Sequence, residues 1–312
     1  MTKHLDAATK VPAIVCIDVE PDGFYIDRTK KLPWKGYEAC FSFFSKLRPK
    51  LKKATGSPVH YSWFYRMDPQ VAETYGSPDW AVVNYHLHVE ELKKNGDEIG
   101  LHPHAWRWEK NRNNWIEDHS DQTWLNHCVD IALESYEQIF HQKCKSFRFG
   151  ARFMNNEIVK LIEEKGIQFD LTLEPDYQSP ASNTLEGRTF RKGEAINYSG
   201  VPRRPYYPSR EDYKIVDAKK KQGLCMIPLT AGSIEYKFGR AETLYKQLFS
   251  PKNLAPQSLA LNLAFEPRHF RTILEHSNNQ NQNYIAAVLR SEIGLSREKL
   301  NYVEDNLNYF LS

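Results

Sequence analysis

The sequence has little that marks a membrane or secreted protein. No stretch of its 312 residues stays apolar for the roughly 20 residues that a bilayer-spanning helix needs. The first residues, Met1-Thr2-Lys3-His4-Leu5-Asp6, are polar, and the first apolar strand begins only near Pro12, so no secretory leader is expected. Cysteines are scarce: Cys16, Cys40, Cys128, Cys144 and Cys225 are an odd set without CxxC spacing. They exclude a disulfide framework and a cysteine-ligated zinc site. The expectation is a reduced, cytoplasmic protein without a membrane span. Excess charge is also missing, because 42 Lys and Arg against 39 Asp and Glu leave only +3. That is too little for a nucleic-acid surface. Lys50-Leu51-Lys52-Lys53 ends an amphipathic helix, where cations complement the dipole. Lys219-Lys220-Lys221 falls in a polar loop, and both runs read as solvated faces. Internal repeats and low-complexity tracts are absent, although 278–283 is a polar Asn/Gln loop.

What is present is ordinary globular composition, 41% hydrophobic and 26% charged. The 13% aromatics suit either a large core or a sugar-stacking cleft. The first two-thirds alternate strand and helix. A strand at 12–19 precedes a helix near 37–53, in which Cys40, Phe41, Phe44, Leu47 and Leu51 repeat at helical spacing. A strand over 59–64, a helix through Trp80, Val83, Leu87 and Leu92, and a strand at 98–102 follow. Next come a helix over 121–141, a strand at 146–150, a helix over 156–165 and a strand at 168–173. Gly56, Gly96 and Gly166 stand where helices stop, a position that favours the left-handed conformation. Such alternation predicts a parallel sheet or β/α barrel. The stretch 179–217, with Pro202, Pro205 and Pro208, reads as a long excursion from one domain, over the mouth of the barrel. Strands at 224–229 and 284–289 and helices at 266–276 and 297–311 resume the alternation.

In β/α barrels the working residues gather at the C-terminal ends of strands. Polar clusters fall there: Asp18/Glu20/Asp22, Arg66/Asp68, His102/His104, Arg148/Arg152 and Asp170/Thr172. The segment Asp97-Glu98-Ile99-Gly100-Leu101-His102-Pro103-His104 ends a strand in two histidines. Residues two apart on an extended segment point to one side, so both imidazoles can reach one ion. Asp18 and Glu20 share a side of the first strand in the same way. One carboxylate as ligand and a second as base suit metal-assisted hydrolysis, and imidazole with carboxylate is a donor set for zinc. Arg148 can orient the base through its guanidinium. His86 and His88 diverge on a helix and read as surface or core residues.

These segments, in this order, resemble the polysaccharide deacetylase family, the NodB-homology carbohydrate esterases. Ile17-Asp18-Val19-Glu20 looks like its D-x-D/E motif, Glu98 to His104 like its histidine motif, and Phe147-Arg148-Phe149-Gly150 like its arginine motif. Phe169-Asp170-Leu171-Thr172 looks like a later segment. The resemblance implies a deformed (β/α) barrel with fewer than eight strands, a divalent metal ion (usually zinc) and removal of an N-acetyl group from an amino-sugar or polysaccharide precursor. By analogy Asp18 is the catalytic base, Arg148 its partner, and Glu20, His102 and His104 are metal ligands, with Asp22 the alternative to Glu20. Trp106, Arg66 and Arg290 are expected to contact the substrate, with Trp108 and Tyr206 as further sugar-lining candidates. Two departures stand out. The family's histidines are usually four apart, whereas position 106 is Trp106. Arg290 stands where a histidine acid is usual, and an arginine cannot give up a proton near neutral pH. His269 and His276 are weak substitutes on a helical stretch. The alternative to an enzyme is a non-catalytic carbohydrate-binding accessory protein on the same barrel.

Overall fold

The computed structural model describes residues 11–23, 28–185, 187–234, 257–278 and 283–311. The N-terminal hexapeptide and positions 279–282 of the polar loop lie outside the described residues. The strands, in chain order, are β1 (Ala13–Val19), β2 (Ser62–Tyr65), β3 (Glu98–Leu101), β4 (Trp106–Glu109), β5 (Asn114–His119), β6 (Ser146–Phe147), β7 (Phe169–Asp170), β8 (Gln178–Ser179), β9 (Asn183–Leu185), β10 (Arg188–Gly193), β11 (Ile196–Asn197), β12 (Cys225–Met226), β13 (Ala231–Ile234), β14 (Gln257–Ala260) and β15 (Ile285–Arg290). The helices are α1 (Lys35–Thr55), α2 (Pro69–Tyr75), α3 (Trp80–Asn84), α4 (His86–Lys94), α5 (Gln122–Phe140), α6 (Asn156–Glu164), α7 (Pro267–Asn278) and α8 (Arg297–Leu311).

Seven strands form one sheet in the order β12-β7-β6-β3-β2-β1-β15, and every pair in it is parallel. Backbone bonds from Thr230 N to the Ala286 carbonyl and from Leu263 N to the Val288 carbonyl bring the far side of the sheet back toward β15. The result is the expected deformed β/α barrel with fewer than eight strands. The helices pack because one face of each is apolar: α1 buries Tyr37, Cys40, Phe44, Leu47 and Leu51 at helical spacing. Burial of Trp63, Phe64, Phe147, Phe149 and their neighbours contributes roughly 1.5–3 kcal/mol per large side chain. Caps set the ends. Asp121 accepts from Thr123 N and Trp124 N at the start of α5, and Gly56 closes α1 at φ 67°.

Two expectations need correction. The helix read through Trp80 to Leu92 is two helices, because Tyr85 leaves helical geometry at φ −111°, ψ 32°. Its ring makes an edge contact with Tyr37 and stacks on His88, contacts that reward the break. The stretch 179–217 is also more ordered than a loop. Within it, β10 pairs parallel with β5 and antiparallel with β9, extending a side sheet β4-β5-β10-β9. This sheet begins two residues after His104 and so leaves the barrel at the histidines themselves.

Candidate metal centre

Five side chains named from the sequence converge at the C-terminal ends of β1, β3 and β6: Asp18, Glu20, His102, His104 and Arg148, all buried. One ligand atom from each of Glu20, His102 and His104 lies within 4.8 Å of the others, the arrangement a metal ion needs. The remaining ring nitrogens fix which atoms face inward. His102 Nδ1 donates to the Arg148 carbonyl at 2.7 Å. Its Nε2 is 3.3 Å from Glu20 Oε1 and 3.8 Å from Asp18 Oδ2. His104 Nδ1 meets Glu117 Oε2 at 3.1 Å, which leaves its Nε2 buried, without a hydrogen-bond partner and 3.8 Å from Glu20 Oε2. The imidazole planes are perpendicular, at 88°. Metal-binding histidines characteristically give their outer nitrogen to a carbonyl or carboxylate, and both do so here. The orphaned Nε2 of His104 and the neighbouring carboxylate therefore fit a zinc-type ion.

The electrostatics agree. Burial opposes ionisation of Glu20, but Arg290, His102 and His104 outweigh it and hold the carboxyl well below its usual range. Glu117 is likewise held low, because His104 and His119 outweigh its burial. Burial pulls His104 down, yet Glu117 carries it up to about 9, so a proton would compete with any metal ion for Nε2. Asp18 is held by Arg148, whose Nε lies 3.0 Å from Oδ1 and 3.2 Å from Oδ2. Arg148 also donates to the Leu171 carbonyl at 2.7 Å and lies 3.7 Å from Glu174, so its guanidinium cannot swing away cheaply. Behind it, Asp170 accepts from Thr172 N and Oγ1, and burial pushes its carboxyl up to about 7 despite those bonds.

Other sequence candidates occupy different places. Asp22 accepts from Lys35 N and Gly36 N at the start of α1, so it caps a helix while Glu20 faces the histidines. Arg66 is buried and spends its guanidinium on Asp68 and Gln70. Asp68 in turn accepts from His104 N, so Arg66 braces the histidine loop. Trp106 is buried, and its ring stacks on both His104 and Phe190. Tyr206 is buried too, its hydroxyl donating to the Tyr213 carbonyl. Trp108 stays partly exposed, edge-on to Trp115. His269 and His276 lie on α7. Arg290 grips Glu20 with Nε to Oε1 and Nη2 to Oε2, both at 3.1 Å.

The residue that sequence reasoning missed is Glu117. It lies on β5, every residue of which is buried, and its Oε1 also accepts from Ala105 N at 2.9 Å. The signal was Trp115-Ile116-Glu117-Asp118-His119, charges embedded next to large apolar residues, where a surface strand would alternate.

No protein-family model and no curated protein matches the sequence. Among solved structures, the chain is similar to a protein from Parabacteroides distasonis that carries the provisional double designation glycoside hydrolase/deacetylase. The TM-score is 0.56 at 11% identity, over 96% of this chain and 66% of that one. A provisionally assigned polysaccharide deacetylase from Mycobacterium smegmatis gives 0.45 at 13% identity, over 89% of this chain and 71% of the other. A pseudoenzyme of carbohydrate esterase family 4 from Bacillus anthracis gives 0.40 at 9%, over 96% and 62%. The chain thus spans roughly two-thirds of these proteins' length. The resemblance read from the motifs holds at the level of the fold.

Proposed function

We propose that the protein is a metal-dependent hydrolase that removes an N-acetyl group from an amino sugar or a saccharide containing one. One observation carries the reading: two imidazoles tied through Nδ1 present Nε2 toward Glu20, beside a carboxylate, Asp18, held by its own arginine. Glu20, His102 and His104 would hold the ion, zinc being the divalent metal that suits these donors. Bound there, zinc would supply Lewis acidity and a water of lowered pKa. Asp18 takes the proton of the attacking water. Arg148 keeps that carboxylate aligned, so that it need not reorganise as charge moves. With Arg290 committed to Glu20, the proton gained by Asp18 is the one available to the departing amine. His102, fixed by the Arg148 carbonyl, couples the arginine strand to the ion site. Among the described residues no helix is long and apolar enough to cross a membrane.

A second reading, a carbohydrate-binding protein without catalysis, is favoured by the same Arg290, which replaces a proton donor with a fixed cation. Zinc-loaded protein incubated with N-acetylated amino sugars separates the two. Acetate release that is lost with a chelator and with Asp18→Asn supports the enzyme. Zinc binding without acetate release from any acetylated saccharide supports the binding protein.

A further inference from the structure

The end of β15 holds Glu20 by both backbone and side chain. Ser291 Oγ accepts from Glu20 N at 3.1 Å and donates to the Glu20 carbonyl at 3.2 Å. Arg290 adds the two 3.1 Å bonds to the carboxylate, and its Nη1 reaches Glu292 at 3.1 Å. An ionised carboxylate has about four lone-pair sites. Here the guanidinium takes one on each oxygen, and the histidines face the same two atoms. A metal ion and Arg290 would therefore meet at the same buried carboxylate, Glu20, where two like charges are poorly screened even with Asp18 and Glu292 nearby.

We propose that Arg290 is a built-in counter-cation of the metal centre: it neutralises Glu20 in the metal-free protein and thereby weakens and makes reversible the hold of Glu20, His102 and His104 on a divalent ion. Arg290 could act on the ion in two opposed ways, by placing Glu20 or by charge. Placement is already secured by Ser291 on both sides of the Glu20 peptide and by the pairing of β1 with β15 at Asp18 and Arg290. Charge is what Arg290 alone supplies, so its removal tightens the site. Arg290 thus tunes the site by its charge, acting through Glu20.

This inference rests on the metal reading above, and one experiment separates their failures. Metal-free protein of the 312-residue sequence is titrated with zinc against a chromogenic chelator, with Glu20→Gln as the control that locates the site. Arg290→Met should bind zinc at least about tenfold more tightly than the unaltered protein, the scale set by removing one charge beside a partly buried ion. Arg290→Lys, which keeps the charge and loses the fork, should stay within about threefold of it. Arg290→Gln, closer in polarity, serves in place of Arg290→Met should that variant not fold. Equal or weaker binding by the neutral variants, or equal tightening by Arg290→Lys, overturns the inference while leaving the metal reading intact. Zinc binding by Arg290→Met alone supports the inference and overturns a metal-dependent activity of the natural sequence. Binding by neither overturns both.

Discussion

A Cβ placed on Gly150 would lie 2.3 Å from Cγ and Cδ2 of the His104 imidazole, so the ring rests directly on the glycine backbone. The glycine that ends the arginine motif is therefore a spatial requirement of the histidine motif 46 positions earlier. Gly150→Ala should cost about 1–3 kcal/mol through overpacking, read from urea unfolding. It should also weaken zinc binding, because the ring must move away from Glu20. An unchanged zinc titration would show that His104 can give way without consequence.

Glu117 is the carboxylate partner of the His104 outer nitrogen. Such partners are worth about 10- to 100-fold in metal affinity. Glu117→Ala should therefore weaken zinc binding by that factor, whereas Glu117→Gln, which keeps an acceptor oxygen, should lose less. Chelator competition measures both. Equal losses in the two variants would point to general disruption of β5.

Asp18 approaches the ion site without being one of its three closest donors. Asp18→Asn should keep zinc affinity within a few-fold and reduce acetate release by about 10²- to 10⁴-fold, the range for a lost general base. If Asp18→Asn also abolishes zinc binding, Asp18 belongs to the ligand set.

The buried Asp170 gives the stability a definite pH dependence. Its folded-state value, about 7, lies above the ordinary 3.8, so the native state keeps a proton that the unfolded chain releases. Stability should fall as pH rises from about 4 and level off past 7, by roughly 4 kcal/mol at most. Asp170→Asn should flatten that slope in urea unfolding followed from pH 4 to 8. A slope that survives the substitution would assign the effect to other groups.

The barrel was legible because its rule is local. Apolar strands, glycine-ended helices and polar strand ends repeat along the chain, and Asp18, Glu20, His102, His104 and Arg148 each stand just where an apolar strand runs out. What escaped was set by pairing across the chain. Glu117 faces His104 only because β4 and β5 fold back as a hairpin, and β10, about 70 positions later, covers that hairpin's edge. The packing of Trp106 escaped for the same reason, because Phe190 from the same distant strand stacks on it. The link from Arg66 to the histidines is similar: its partners, Asp68 and Gln70, follow it closely, yet the link is visible only once Asp68 is seen to hold the His104 amide.

The pairing of the first strand with the last has a consequence for how the site comes into being. Glu20 meets Arg290 and Ser291 across 270 and 271 positions of chain. Contacts of such separation form late, since loop closure must be completed before they return any stabilisation. During folding the two histidines and Arg148 can be in register while Glu20 still lacks its support. Appearance of the zinc-binding signal should therefore follow the recovery of helical signal in refolding, and the ion would mark the final docking of β15.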